Sequence, residues 1–243
     1  MKKWSFNSNQ LKIIAIIAMF FDHVVTGFIS HNTLIGLILH IPGRIAAPIM
    51  CYMIAEGYHH TSNIKKYITR LLIFAVISHL PYNLYFGFKF FQATSIIWGL
   101  ALGLIALTAV KSDRLHFVVK LFVLALCCAL SVTANWNYVA VLWIVVFGLF
   151  YGDFKKQMLG FCTVGVICHL IPTYINFGPS HKGYPHWYQL GIFLAIPVLA
   201  LYNGERGKKS KFITWFFYIF YPVHLIMLYL IKLLIPYISN LLG

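Results

Sequence analysis

The chain has 243 residues, of which 60% are hydrophobic and only 10% charged, and a formal net charge of +14. Long apolar runs broken by short basic clusters leave no room for a soluble catalytic domain and define an all-α, polytopic integral membrane bundle. The charge does not point to nucleic acid, because the basic residues are scattered over short loops with no continuous basic face.

In chain order the apolar runs predict nine spans, at about 11–30, 38–57, 67–86, 94–110, 117–133, 137–152, 157–174, 187–202 and 212–234, forming one domain over residues 1–243. The start, Met1-Lys2-Lys3 before an apolar run, has the outline of a secretory signal. No small-residue cleavage pattern follows, and Asp22 and His23 interrupt the run, so it reads as a retained first span. Basic residues then alternate between the two sides. Lys2, Lys3, Lys65, Lys66, Arg70, Lys111, Arg114, Lys120, Lys155, Lys156, Arg206, Lys208, Lys209 and Lys211 fall on one side, against Lys89, Lys182 and, less clearly, Arg44 and Lys232 on the other. The positive-inside rule places the richer side and the amino terminus in the cytoplasm, with the protein in the plasma membrane.

The first span, LKIIAIIAMFFDH, carries Lys12, Asp22 and His23. Eleven steps at 3.6 residues per turn put Lys12 and His23 on one face, roughly 16 Å apart, one near the membrane surface and the other near its middle. Ionisable groups at that depth mark a functional site by default, although bonding to neighbouring helices alone is the plainer account. Asp22 lies about 100° around the helix from His23, so it is expected to pair with Arg44 or another span. The next segment, HNTLIGLILHIPGR, is expected to place a short apolar piece in the membrane interface. In GRIAAPIMCYMIAEGYHH, Arg44 enters from the outer side, to neutralise a carboxylate or to snorkel outward, and Glu56 leaves at the cytoplasmic end.

Further on, YITRLLIFAVISHLPYNLYFG places Arg70 near the cytoplasm and Ser78, His79 and Asn83 toward the outer half. Lys65, Lys66 and Arg70 form a basic cluster suited to cofactor phosphates, or simply to lipid headgroups. Asn135, Trp136, Asn137 and Tyr138 form an unremarked outer turn. The last run adds Tyr221 and His224 as interior candidates, after a basic turn with Gly204 and Gly207. His31, His40, His181 and His186 read as rim histidines and not as a metal site, and Cys51, Cys127, Cys128, Cys162 and Cys168 as packing residues, so no metal is predicted. Asp22 and Glu56 are the only acids within spans, which gives cation-coupled transport little support.

These blocks, together with LYNGERGKKSK and FFYIFYPVHLIMLYLI, resemble the TraX family of membrane proteins nearly end to end. That family is named for the conjugation protein that acetylates the F pilin amino terminus. It is similar in turn to the acyltransferase-3 and heparan-glucosaminide acetyltransferase types, whose first span carries a basic residue, ten residues, then histidine. Here that pattern runs from Lys12 to His23, and Lys supplies the charge without arginine's bidentate fork.

The resemblance implies acetyl transfer from cytosolic acetyl-CoA to a peptide amine or cell-envelope glycan hydroxyl at or beyond the midplane. In that reading His23 is the base or the acetyl carrier, and Asp22 and Arg44 complete the site. Lys12, Lys65, Lys66 and Arg70 bind acetyl-CoA, Arg44 or a backbone N–H holds the oxyanion, and Glu56, Ser78, His79, Asn83, Tyr221 and His224 line the interior. The partners are lipid, acetyl-CoA and the acceptor. A transporter or flippase, and a non-catalytic scaffold of a secretion or conjugation machine, stand as alternatives.

Overall fold

A computed structural model of the chain describes residues 5–29, 33–177, 186–208 and 210–242, with side chains as far as Ile235. Helix α1 (Ser8–Phe28) begins at a reciprocal cap. The Asn7 side chain accepts from the N–H of Gln10 at 3.1 Å, and the Gln10 side chain accepts from the N–H of Asn7 at 2.9 Å. Helices α2 (Leu34–Gly43) and α3 (Ala46–His60) form one broken rod. Pro42 lacks an N–H and disfavours an unbroken α-helix, and the chain answers with tighter bonds, Arg44 N–H to Ile41 at 3.2 Å and Ile45 N–H to Pro42 at 3.4 Å. Pro48 is tolerated because it sits in the first turn of α3, where N–H groups have no intrahelical acceptor.

The remaining elements are α4 (Ile64–Phe86), α5 (Ile96–Val110), α6 (Phe117–Leu130), α7 (Asn137–Leu149), α8 (Phe154–Val164), α9 (Ile171–Phe177), α10 (Ala195–Ala200) and α11 (Lys211–Leu242). A π-helical segment, Gly165–Leu170, joins α8 to α9, and a 3₁₀ segment, Trp187–Leu194, leads into α10. Helix α8 starts at Asp153, whose carboxyl is held below the ordinary range by hydrogen bonds from Lys156, first from its backbone N–H. Among the described residues the only strand-like pairings are the isolated bridges Phe6 with Tyr202 and Thr94 with Ala134.

All nine predicted runs are helical, in agreement with the all-α expectation. Among the described residues, four helical stretches are both long and apolar enough to cross a membrane: Ser8–Phe28, Leu34–His60, Phe154–Asn176 and Lys211–Ile235. Helix α4 has the length, but its polar residues and basic first turn dilute its apolarity. The 15-residue α5 covers about 22 Å, short of the ~30 Å hydrocarbon layer. It is the hub instead. Ala101, Leu104, Ala106 and Leu107 have no exposed surface, and α3, α4, α6 and α7 pack around it. Ile13, Ile17, Val76, Leu80, Phe122, Leu159 and Ile219 stay exposed on the outer helix faces, as lipid-facing positions require.

The short apolar piece after α1 is a helix, α2, which packs against α1 and the 3₁₀ segment and leaves Leu34, Ile35 and Ile38 exposed. The approach is close because Gly191 has no side chain, and a Cβ there would fall on the Ile41 carbonyl oxygen and 3.1 Å from the Arg44 Cβ. The first of these is backbone and cannot swing aside. Gly191→Val is therefore expected to lower stability by about 1–3 kcal/mol, read as a lower melting temperature of the detergent-solubilised protein. A melting curve identical to that of the unsubstituted protein would show that this contact is not tight.

Candidate active site on the first helix

Asp22 and His23 point to different clusters, as their 100° separation requires. Asp22 is buried, bonded to the Arg44 guanidinium and, at 3.0 Å, to Nδ1 of His40. Gly43 opens the space for it, since a Cβ there would overlap the Asp22 side chain. The Arg44 guanidinium carbon lies 5.7 Å from the Trp136 ring and 5.5 Å from the Tyr188 ring, so aromatic faces stabilise the cation on sides the carboxylate does not cover. His40, read from sequence as a rim histidine, is 1% exposed and inside this cluster. Trp136, from the turn that carried no message, is part of its wall. Arg44 does not snorkel.

His23 faces the other way, toward α11. Its Nδ1 is 2.8 Å from Nε2 of His224, and the two rings are parallel within 3°. Nδ1 of His224 is 2.8 Å from the carbonyl oxygen of Phe220. A carbonyl only accepts, so His224 Nδ1 carries the proton. With both rings neutral, His224 Nε2 accepts from His23 Nδ1–H, and Nε2 of His23 is left with a bare lone pair. No hydrogen bond among the described residues engages that nitrogen. The Tyr85 hydroxyl donates to the His23 carbonyl at 2.5 Å, and the rings of Phe86 and Tyr221 stand 5.5 and 6.3 Å from the imidazole.

Below the histidines a cavity of about 450 Å³ opens to the basic end of the bundle. Lys12, Arg70, Arg206 and Lys208 line its mouth, Glu56 and His60 one wall, and Met19, Ile96, Ile97 and Tyr221 its depth. It ends one helical turn short of His23. The amino terminus holds the mouth in shape: Phe6 N–H donates to Leu201 at 2.8 Å, Ser8 N–H to Glu205 at 2.8 Å, and the Asn9 amide to Lys208 at 2.9 Å. These bonds pin the turn bearing Arg206 and Lys208 beside the first turn of α1.

Several sequence-derived assignments shift. Lys65 and Lys66 are exposed on the first turn of α4 and do not line the cavity: Lys65 lies about 140° around the helix from Arg70, and Lys66, although on nearly the same face as Arg70, is one turn nearer the helix start. Arg206 and Lys208 take their place, and the signal was the basic turn with two glycines, each at positive φ. His79 and Asn83 do not face the interior cavity. Their ring nitrogen and side-chain amide donate to the Phe90 carbonyl at 2.6 and 3.3 Å and close the loop after α4. Ser78 is fully buried, with its hydroxyl unpartnered. Glu56, expected to leave the membrane, is buried on the cavity wall, accepting from Tyr202 at 3.3 Å and lying 3.4 Å from His60. His31 and His181 lie outside the described residues, and His186 is exposed beside Tyr188.

A family model described as TraX protein matches residues 7–232. The chain belongs to the TraX family. It is 29% identical over 232 residues to the probable fimbrial assembly protein FimC, serogroup H1, of Dichelobacter nodosus, a match covering 92% of this chain and 94% of that protein. No solved structure matches. In this TraX protein both site clusters fall inside the matched segment, from Lys12 to His224.

The Asp22 cluster is the stability-critical one. Removing one member of a buried ion pair leaves the other charge uncompensated, at a cost of about 3–5 kcal/mol. Asp22→Ala and Arg44→Ala are each expected to destabilise the TraX protein strongly, and the double variant by clearly less than their sum. Additive losses in denaturant or thermal unfolding would mean that the two side chains do not act as a pair.

Proposed function

We propose that this TraX protein is a multi-pass plasma-membrane acetyltransferase that moves an acetyl group from cytosolic acetyl-CoA to an acceptor at or beyond the membrane midplane. The observation that carries this reading is the alignment along α1: a cationic mouth at one end, and at the other an imidazole whose Nε2 is left unprotonated by its hydrogen-bond chain. The positive-inside rule puts the mouth in the cytoplasm, where acetyl-CoA is.

Lys12, Arg70, Arg206 and Lys208 supply cations for the phosphate-bearing end of acetyl-CoA. The apolar inner walls, including Met19, Met50 and Met53, suit a flexible arm that carries the thioester inward. His23 Nε2 has the lone pair needed either to take a proton from the attacking acceptor or to carry the acetyl group itself. His224 is the positioning residue: it fixes the tautomer and ring plane of His23, as second partners of catalytic histidines do. Arg44 is committed to Asp22 and is not free to hold an oxyanion.

The name of the Dichelobacter relative, a fimbrial assembly protein, favours an exported fibre subunit over a glycan as the acceptor. The same name favours a second reading, a non-catalytic assembly factor. The two readings separate on His23.

With purified protein in nanodiscs and radiolabelled acetyl-CoA, His23→Gln is expected to lower acetyl turnover by about 10²–10⁴-fold with an unchanged melting curve. Lys12→Ala combined with Arg206→Ala is expected to raise KM for acetyl-CoA by about 10²-fold or more, each charge-assisted contact being worth roughly 1.5–3 kcal/mol. Full turnover in His23→Gln rejects the catalytic assignment, and fibre assembly that survives His23→Gln supports the second reading.

A further inference from the structure

Acetyl transfer through a tetrahedral intermediate needs donors aimed at the developing oxyanion, and Arg44 cannot be one of them. The cavity's inner end supplies others. Helix α5 begins there, with Ile96 and Ile97 on the wall. Its N-cap, Ser95, makes no side-chain cap bond, and the N–H groups of a first helical turn have no intrahelical acceptor. They carry the positive end of the α5 dipole into a site away from water.

The second observation is independent of the helix. Tyr221 of α11 is 4% exposed, lines the same end of the cavity, and its hydroxyl makes no hydrogen bond of normal geometry. The Ile96 N–H is close enough to interact with that hydroxyl electrostatically. A buried phenol without a partner is costly to keep, about 1–3 kcal/mol, unless a ligand supplies the acceptor. The depth also agrees. At 1.5 Å per residue His23 is about 22 Å from the start of α1, and Ile96 about 21 Å from the far end of α5, helices that begin and end at the same basic side. The Tyr221 ring stands 6.3 Å from that of His23, edge to face, which sets the phenol beside the base at the inner end of the cavity.

We propose that the Tyr221 hydroxyl and the first-turn N–H groups of α5, at Ile96 and Ile97, form the oxyanion hole of this TraX protein and bind the acyl oxygen of acetyl-CoA. This rests on the acetyltransferase reading above. The acceptor's amine or hydroxyl attacks the thioester carbonyl carbon, His23 Nε2 takes the acceptor's proton, and the carbonyl π pair moves onto the oxygen held by Tyr221 and α5. Collapse restores the C=O bond and breaks the C–S bond. The leaving thiolate takes the proton from His23, giving the acetylated acceptor and free CoA with nothing oxidised or reduced.

Two substitutions test the hole. Tyr221→Phe removes only the hydroxyl. It is expected to lower kcat by about 10²-fold with little change in KM or in melting temperature, because the hydroxyl makes no protein hydrogen bond of normal geometry. A structural role would instead lower the melting temperature and leave kcat alone. Ile96→Pro removes one N–H at the helix position where proline is accepted, after a Ser95 whose φ of −68° and ψ of 162° suit a following proline. It is expected to lower kcat by at least tenfold more than Ile96→Val, the packing control.

A binding arm separates this proposal from the reading beneath it. S-carboxymethyl-CoA, whose anionic oxygens lie one carbon beyond the acyl carbon and within reach of the same donors, is expected to bind at least tenfold tighter than S-ethyl-CoA to the unsubstituted protein, and Tyr221→Phe is expected to erase the preference. If both analogues bind equally while acetyl turnover is intact, the oxyanion hole is wrong and the acetyltransferase stands. If neither binds, the acetyl-CoA reading falls and this proposal falls with it.

Discussion

The bond between Asp22 and Arg44, deep in an apolar bundle, is the constraint on which the other features depend. A lone carboxylate or guanidinium at that depth would cost several kcal/mol, so the chain must bring the two together and keep water and lipid from them. To do so it breaks the second rod at Pro42–Ile45, lays α2 against α1 across Gly43, and seats the 3₁₀ segment on α2 through Gly191. His40, Trp136 and Tyr188 complete the shell. Three separate stretches of sequence are thereby fixed to one turn of α1.

With that turn fixed on one face, the adjacent residue on the other face is oriented as well. His23 cannot rotate away from α11 without pulling Asp22 out of its pair, so the imidazole chain from Phe220 through His224 to His23 is held from behind by an ion pair that takes no part in it. The division of labour follows from helix geometry. Neighbouring residues 100° apart enter two different clusters, an ion pair and a histidine chain, and the Tyr85 hydroxyl on the His23 carbonyl secures the backbone between them.

The cavity follows the same economy of parts. Its cations come from α1, α4 and the turn before α11, joined by main-chain bonds between residues 6–9 and 201–208. Its inner end is bounded by the first turn of α5, where Ile96 and Ile97 lie on the cavity wall beside Tyr221.

The sequence by itself determined the class, the helical runs, the alignment of Lys12 with His23 and the opposed phase of Asp22, because each depends on local periodicity along one helix. It also marked Arg44, His224 and Tyr221 as candidates for the polar interior. What it could not rank was which polar residues share a cavity. Lys65 and Lys66 stay on the exposed first turn of α4 while Arg70, one turn on, reaches the cavity, His79 and Asn83 are drawn off by a loop carbonyl, and His40 and Trp136 acquire meaning only when α2 and the 3₁₀ segment fold back on α1. Those outcomes depend on contacts between residues far apart in the chain, which only tertiary packing decides.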